Sequence, residues 1–301
     1  RMAGFTLVEI VVATFIMAVF TVLVLGVSNG VLQIWGSAAG RVESTRESRL
    51  VLSTIESDFD GIVYTSSGEV LHYEIEDLGS GNFDPQSQAR LILVASTLDA
   101  PARDFGGIER PGDICGIRYE LNYLKIFDGS GTEAKFSLYR GTADTLTTFN
   151  ELLGVNDLKT AWEDEIEAGV GVLTESSPAY KVSSDAGLYS SQNRRNIYAS
   201  NVVDFKVTFY SRDLTDASIA EETVNTFLAL RDGQLYVDDD TTPVDRELVY
   251  ADLQFAFLSS EGALALQRHS EGVDSIYKNL TEIIDEYGQR FTRRVALSGA
   301  R

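Results

Sequence analysis

The chain has a single cysteine, Cys115, among 301 residues. No disulfide can close within it, so core burial or a metal must hold the fold. Histidine is almost as scarce, with only His72 and His269. A Cys–His dyad would need Cys115 and one of these two. Cys115, in "DICGIRYE", reads instead as a small buried hydrophobe. The sequence contains no G-x-S-x-G, no H-E-x-x-H and no P-loop, which removes the common signatures of hydrolases, zinc proteases and nucleotide enzymes. Basic residues are few: 25 Lys and Arg face 45 Asp and Glu, for a formal charge of -20. No basic face for a nucleic acid is expected from that balance, which suits a self-repelling outer domain. Residues 1–60 hold six acids and four bases, leaving 39 acids and 21 bases beyond them. The charge therefore belongs to the later part, whose 240 or so residues suffice for an unstapled core.

What the chain does have is one long apolar run at its start, "RMAGFTLVEIVVATFIMAVFTVLVLGV". From Phe5 to Ser28 the polar side chains are Thr6, Glu9, Thr14, Thr21 and Ser28. Phe5 to Val27 would make a helix of about 35 Å, enough to cross a hydrocarbon core of roughly 30 Å. Threonines are tolerable there because they bond back to helix carbonyls. Arg1 favours leaving this end in the cytoplasm and sending the rest outward. A signal peptide cut after "GSAAG", where Ser37 and Ala39 are small, is one alternative. The run is too long for an h-region of about 7–15 residues. A plain signal anchor is another. Neither accounts for Glu9, since a carboxylate in lipid costs a few kcal/mol and is usually there for a partner.

"GFTLVE" resembles the cleavage and methylation signature of type IV pilins and type II secretion pseudopilins. The matching residues are Gly4, Phe5 and Glu9, followed by the apolar run. The resemblance implies that a prepilin peptidase cuts between Gly4 and Phe5, with methylation of the new Phe5 amine. It implies that Glu9 pairs with that amine on a neighbouring subunit, which compensates the buried acid. It further implies an inner-membrane assembly platform and other pilin or pseudopilin subunits as partners. Many major pilins carry proline where this chain has Gly26 and close a C-terminal disulfide loop, which points here toward minor pilins or pseudopilins. Minor pseudopilins of the J type are similar in their Arg- and Asp-bearing helix end ("RESRLVLSTIESDF") and in a basic late strand (Arg293, Arg294). Large prepilin-like proteins of the Verru-Chthon cassette type are also similar. Glu9 argues against the K-type tip pseudopilin.

The helical pattern continues past the membrane run. Val31, Ile34 or Trp35, Ala38, Val42, Thr45, Arg49, Leu52, Ile55 and Phe59 fall three or four apart, with Gly61 as a stop. One helix over 5–60 would be roughly 80 Å long. The Leu52, Ile55, Phe59 stripe is expected on a globular head, and Trp35 at the outer membrane interface. From residue 62 the period shifts toward two. Leu71, Tyr73 and Ile75 alternate with His72, Glu74 and Glu76, which places His72 on the polar side of a strand. "RLILVAST" (90–97) reads as a buried strand. Ile117, Tyr119, Leu121 and Tyr123 alternate with Arg118, Glu120, Asn122 and Leu124. "DGSGT" (128–132) then turns into "KFSLYR" as a hairpin. Val203, Phe205, Val207 and Phe209 share one strand face, as do Val249, Ala251, Leu253, Phe255 and Phe257. Ile276, Leu280, Ile283 and Tyr287 predict a helix capped by Asp274 and stopped by Gly288, before a last strand "RFTRRVAL". Segments 98–113, 155–196 and 211–245 read as loops or small insertions, and His269 as lying in a loop.

The acidic run "VDDDTTPVDRE" places Asp238, Asp239, Asp240, Asp245 and Glu247 close together. Hard oxygen ligands at short spacing could hold calcium, although the pattern is not an EF-hand; the alternative is a solvated turn. The resemblance adds to the calcium reading, because related pseudopilins bind calcium near the C-terminus.

The expectation is an α+β protein, with a long N-terminal helix packed on a mostly antiparallel β head. Its parts would be a leader remnant (1–4), a transmembrane half-helix (5–28), an amphipathic half-helix (29–60) and a head (61–301). The head would lie in the periplasm or an extracellular fibre, and the chain would be a non-catalytic assembly subunit crossing the lipid bilayer once. A membrane-anchored enzyme lacks a visible catalytic constellation. An adhesive or ligand-binding head on a pilin-like stem is the remaining alternative.

Overall fold

The computed structural model describes residues 7–77, 87–97, 103–104, 109–110, 113–125, 134–167, 193–214, 221–224, 226–238, 241–270 and 279–297. Packing divides the chain into two units, Arg1–Glu43 and Ser44–Arg301. One helix, α1, runs from Leu7 to Asp60, in agreement with the expected span. It ends where Gly61 meets the sheet. A Cβ on Gly61 would stand 2.3 Å from the carbonyl oxygen of Ser96, and the Ser96 amide donates to the Gly61 carbonyl at 2.7 Å. Only glycine permits that approach.

The strands of the head are β1 (Glu69–Asp77), β2 (Ser87–Ser96), β3 (Arg103–Asp104), β4 (Glu109–Arg110), β5 (Ile114–Lys125) and β6 (Ala134–Ala143). They continue as β7 (Asn193–Ser200), β8 (Val202–Asp213), β9 (Glu222–Val224), β10 (Phe227–Arg231) and β11 (Gln234–Val237). The last are β12 (Pro243–Val244), β13 (Arg246–Leu258) and β14 (Gly288–Ala296). Short helices α2 (Thr145–Thr147) and α3 (Leu158–Ala161) alternate with π-helical turns Thr148–Leu152 and Trp162–Glu167. Helices α4 (Ser260–Ser270) and α5 (Leu280–Tyr287) precede the last strand. The head is thus α+β, as its alternating periods imply. An eight-stranded sheet has the order β12-β11-β10-β1-β2-β5-β6-β7, and a four-stranded sheet the order β14-β13-β8-β9.

The main core lies between the inner faces of the two sheets, and the last turns of α1 enter it. Val51, Ile55 and Phe59 are buried, and Leu52 packs against them from the margin. The Phe59 ring tilts against Phe209 at 6.3 Å, and Tyr73 meets Phe209 edge-on at 5.3 Å. The Tyr73 hydroxyl accepts from the Val207 amide at 3.1 Å, tying β1 to β8. On the outer side of the small sheet, α4 and α5 bury Ala256, Leu258, Leu266, Ile283 and Ile284.

Several local expectations are corrected. Val203 is an extra residue in β8, where the pairing jumps from Asp204↔Ala256 to Val202↔Phe257. That bulge turns Val203 to the outer cluster and puts Val202 in the main core. Val249 is likewise extra in β13, so Leu248 takes the inward place. A period of two cannot survive such an insertion. The segment 211–245 is no loop: β10 and β11 join the large sheet beside β1, and β9 edges the small one. The stretch 155–196 holds α3, a π-helical turn and the start of β7. His269 lies in α4. The cap of α5 is Asn279, whose side chain accepts from the Glu282 amide, rather than Asp274. Asp274, Ile276 and the 128–132 turn lie outside the described residues, although β5 and β6 pair antiparallel as that hairpin requires.

Phe59 is 2% exposed and shared between α1 and both sheets. Phe59→Ala should cost the detergent-solubilised chain about 3–5 kcal/mol in urea unfolding. A loss below about 1 kcal/mol, ordinary for surface positions, would mean that the helix end does not belong to the core.

Candidate functional site

The first element with a functional signature is the start of α1. Leu7–Leu32 has a mean hydropathy of 2.8 with none of its most apolar window buried. Among the described residues it is the one stretch long and apolar enough to cross a membrane. Leu7, Phe15, Met17 and Val22 are largely exposed. The hydroxyls of Thr14 and Thr21 donate back to the carbonyls of Val11 (2.9 Å) and Met17 (2.8 Å), so neither needs water. Glu9 is in the first turn with its side chain exposed, where the positive end of the helix dipole favours an acid. Gly4 and Phe5 lie outside the described residues. Trp35 is 74% exposed, consistent with an interfacial aromatic.

The second element is a buried ionic clamp that the sequence reading did not single out. Asp58 is 1% exposed in the last turn of α1. Its carboxylate accepts from the Tyr119 hydroxyl. Arg140 Nε donates to Asp58 Oδ2 at 3.0 Å and Nη2 to Oδ1 at 3.1 Å. Tyr119 and Arg140 are register partners on β5 and β6. The last strand adds exposed contacts. Arg293 donates to both Glu56 oxygens. Arg294 is bidentate to Asp252 at 2.8 Å, with its guanidinium 4.0 Å from the Tyr250 ring centre. The Asp252 partner holds the Arg294 pKa above its ordinary value.

The third element is the polar side of β1, on which His72 lies as expected beside Glu69 and Glu74, but this side is not open to solvent. The outer face of the large sheet is itself covered, by Asp144–Glu167. Asp144 accepts from the amides of Leu146 (2.9 Å) and Thr147 (3.1 Å) and starts this segment. Leu152, Leu158 and Trp162 pack on Ile92, Val94 and Ala143. Gly116 and Gly141 make the floor. A Cβ on Gly116 would lie 2.4 Å from Leu152 and 3.0 Å from Trp162, and one on Gly141 3.2 Å from Trp162. Beside this floor His72 is 6% exposed. Its Nδ1 is 2.8 Å from Glu69 Oε1 and its Nε2 is 3.7 Å from Glu74 Oε2. Burial alone would lower the His72 pKa, but the hydrogen bonds and charges of Glu69 and Glu74 outweigh it and raise it to about 9. Burial likewise acts to raise Glu74, yet His72, Lys159 and Arg90 bring it down to about 2. A strand pattern cannot reveal this, because alternation assigns faces and not what covers them.

Of the acidic run, Asp239 and Asp240 lie outside the described residues. Asp238 has φ of 65°, and its carboxylate accepts from the Thr226 hydroxyl at 3.2 Å. Asp245 is exposed, and Glu247 pairs with Arg212. Among the described residues no three His, Cys, Asp or Glu stand together as a metal site. Cys115 is buried in the main core, as a small hydrophobe.

The architecture, a long apolar N-terminal helix followed by a β-rich head, is compatible with that of pilin-like proteins. No protein-family model matches the chain, and no curated protein or solved structure matches it either.

The clamp carries a testable coupling. Arg140→Met leaves Asp58 buried without its cation and should cost about 3–5 kcal/mol, whereas Asp58→Leu/Arg140→Met should cost far less than the two single changes summed. Additive losses in a urea double-mutant cycle would show that the two side chains do not act as a pair.

Proposed function

We propose that this chain is a minor pilin or pseudopilin. In this reading it is a non-catalytic subunit that waits in the membrane through α1 and is then drawn into a fibre with other pilin-type subunits. One observation carries the reading: an acid, Glu9, in the exposed first turn of an apolar helix of membrane-spanning length. Counted from Phe5, Glu9 is the fifth residue of "FTLVE", after the Gly4–Phe5 pair. A carboxylate in hydrocarbon is costly and is tolerated where a partner neutralises it. The free amine created by cleavage before Phe5 would supply that cation from the neighbouring subunit. The remaining apolar side chains, exposed along Leu7–Leu32, would exchange lipid contacts for helix contacts in the fibre. A prepilin peptidase and an inner-membrane assembly platform are the partners this route requires. The head, strongly acidic overall, would face the periplasm or cell exterior.

Two measurements test this. Intact mass of the membrane-extracted protein should begin at Phe5 and carry one extra methyl; a mature N-terminus at Gly40 or Arg41, at the "GSAAG" site, would establish secretion by signal peptide instead. Glu9→Ala should still insert and be cleaved, since it removes a polar group from lipid. It should lose to wild-type subunits when both compete for the fibre. Equal incorporation of the two would assign Glu9 another purpose.

A further inference from the structure

The helical segment Asp144–Glu167 is a strap of four pieces, each too short to persist alone. It rests on the outer face of the large sheet through Leu152, Leu158 and Trp162. Its attachments at β1 flank one residue, His72. Glu69 offers one carboxylate oxygen to His72, at 2.8 Å, and the other to the Leu158 amide, the first residue of α3, at 2.9 Å. Glu74 stands on the other side of the imidazole. It holds the strap's Lys159 at 2.7 Å. Arg90 on β2 spans from Glu74 (2.7 Å) to the strap's Glu163 (3.3 Å). Both acids that flank His72 thus also hold a strap residue.

We propose that Asp144–Glu167 is a charge-latched strap whose seating on the sheet is controlled by the proton on His72. The groups facing His72 are Glu69 and Glu74 from β1, Arg90 from β2, Arg231 and the ring of Phe227 from β10, and Asp157, Lys159 and Glu163 from the strap. Around the imidazolium, the buried Glu69 and the half-buried Glu74 each face His72 and also hold the strap. Without its proton, His72 no longer neutralises them. Glu69, fully buried, is then left with Arg231 at 3.6 Å and the Leu158 amide. Carboxylates in that position recover solvation by opening the strap.

The direction with pH follows. His72 is raised to about 9, so its contribution is complete below about pH 6.5 and is lost as pH rises through about 9. Glu74 is depressed to about 2, so its contribution is present above about pH 4.5 and lost as pH falls through about 2. The strap is held through neutral pH and released by alkali. By linkage the release is at most about a few hundredfold in its seating equilibrium.

Two features make the test direct. Trp162 is 3% exposed in the strap, and Trp35 is the only other tryptophan. His269 is the only other histidine. The full chain carrying Trp35→Phe and His269→Gln, in detergent, then reports both events singly. Between pH 7 and 10.5 the Trp162 emission should shift to the red while far-UV circular dichroism stays constant. Its midpoint should coincide with the imidazole titration of His72 followed by NMR. Amides at Leu158 and Ala161 should lose protection in the same interval, after correction for intrinsic exchange. In His72→Gln the step should vanish. The proposal is overturned if the emission stays flat until the circular dichroism collapses, or if its midpoint departs from that of His72. Both readings come from the chain that keeps His72, so a poorly folding His72→Gln would not rescue the idea.

Discussion

Asp58 places a buried carboxylate in the last turn of α1, where the helix already presents its negative end and has no basic residue of its own. Two like charges meet there, and Arg140 compensates both from the sheet. The Tyr119 hydroxyl completes the set. Because the guanidinium is fixed on β6 and the phenol on β5, only one rotation and one height of the helix satisfy Asp58. The same setting puts Ile55 and Phe59 into the space between the sheets. A purely apolar helix end could slide or turn in that space at little cost. The ionic clamp adds little net stability but fixes where the helix sits, and the core packing follows.

Around the middle of β1, β2, β5 and β6 the large sheet is buried on both faces, and this governs much of the chemistry of the head. Its inner face is apolar apart from Arg140 in the clamp and meets the small sheet. Its outer face carries charges, yet Arg118, Glu120, His72 and Glu69 are all buried. Buried charges need partners, and these are arranged across neighbouring strands: Glu74 beside Arg90 in the β1–β2 register, and Arg90 beside Glu120 in the β2–β5 register. The strap supplies what the strands do not. With no disulfide available, such networks and the glycine floor under Trp162 determine how irregular segments attach to the sheet.

These features are consistent with the proposed role. A subunit withdrawn from a bilayer transmits force from an apolar helix to a folded head. The connection therefore has to be made by interior contacts of the helix end, and Asp58, Ile55 and Phe59 make them. In that reading, the excess of acids over bases would keep unassembled heads apart.

The sequence by itself determined the elements with strong, unbroken periods. The apolar start of α1, its continuation to Asp60, the stripe at Ile55 and Phe59, and most strands were legible because each is a local pattern of burial. The resemblance of "GFTLVE" to a processing signature is visible as a motif, and Glu9 stood out because an acid in an apolar run is costly wherever the chain folds. Tertiary structure decided the rest. The bulges at Val203 and Val249 each moved a neighbour into the core, since register is a property of two strands and not of one. The short strands β10 and β11 became sheet members only because β1 offered them an edge. Alternation with Leu71 and Tyr73 placed His72 on the polar side of β1 but did not show that this side is covered. A segment more than seventy residues later covers it, and no local pattern encodes which distant piece of chain will close over a strand face.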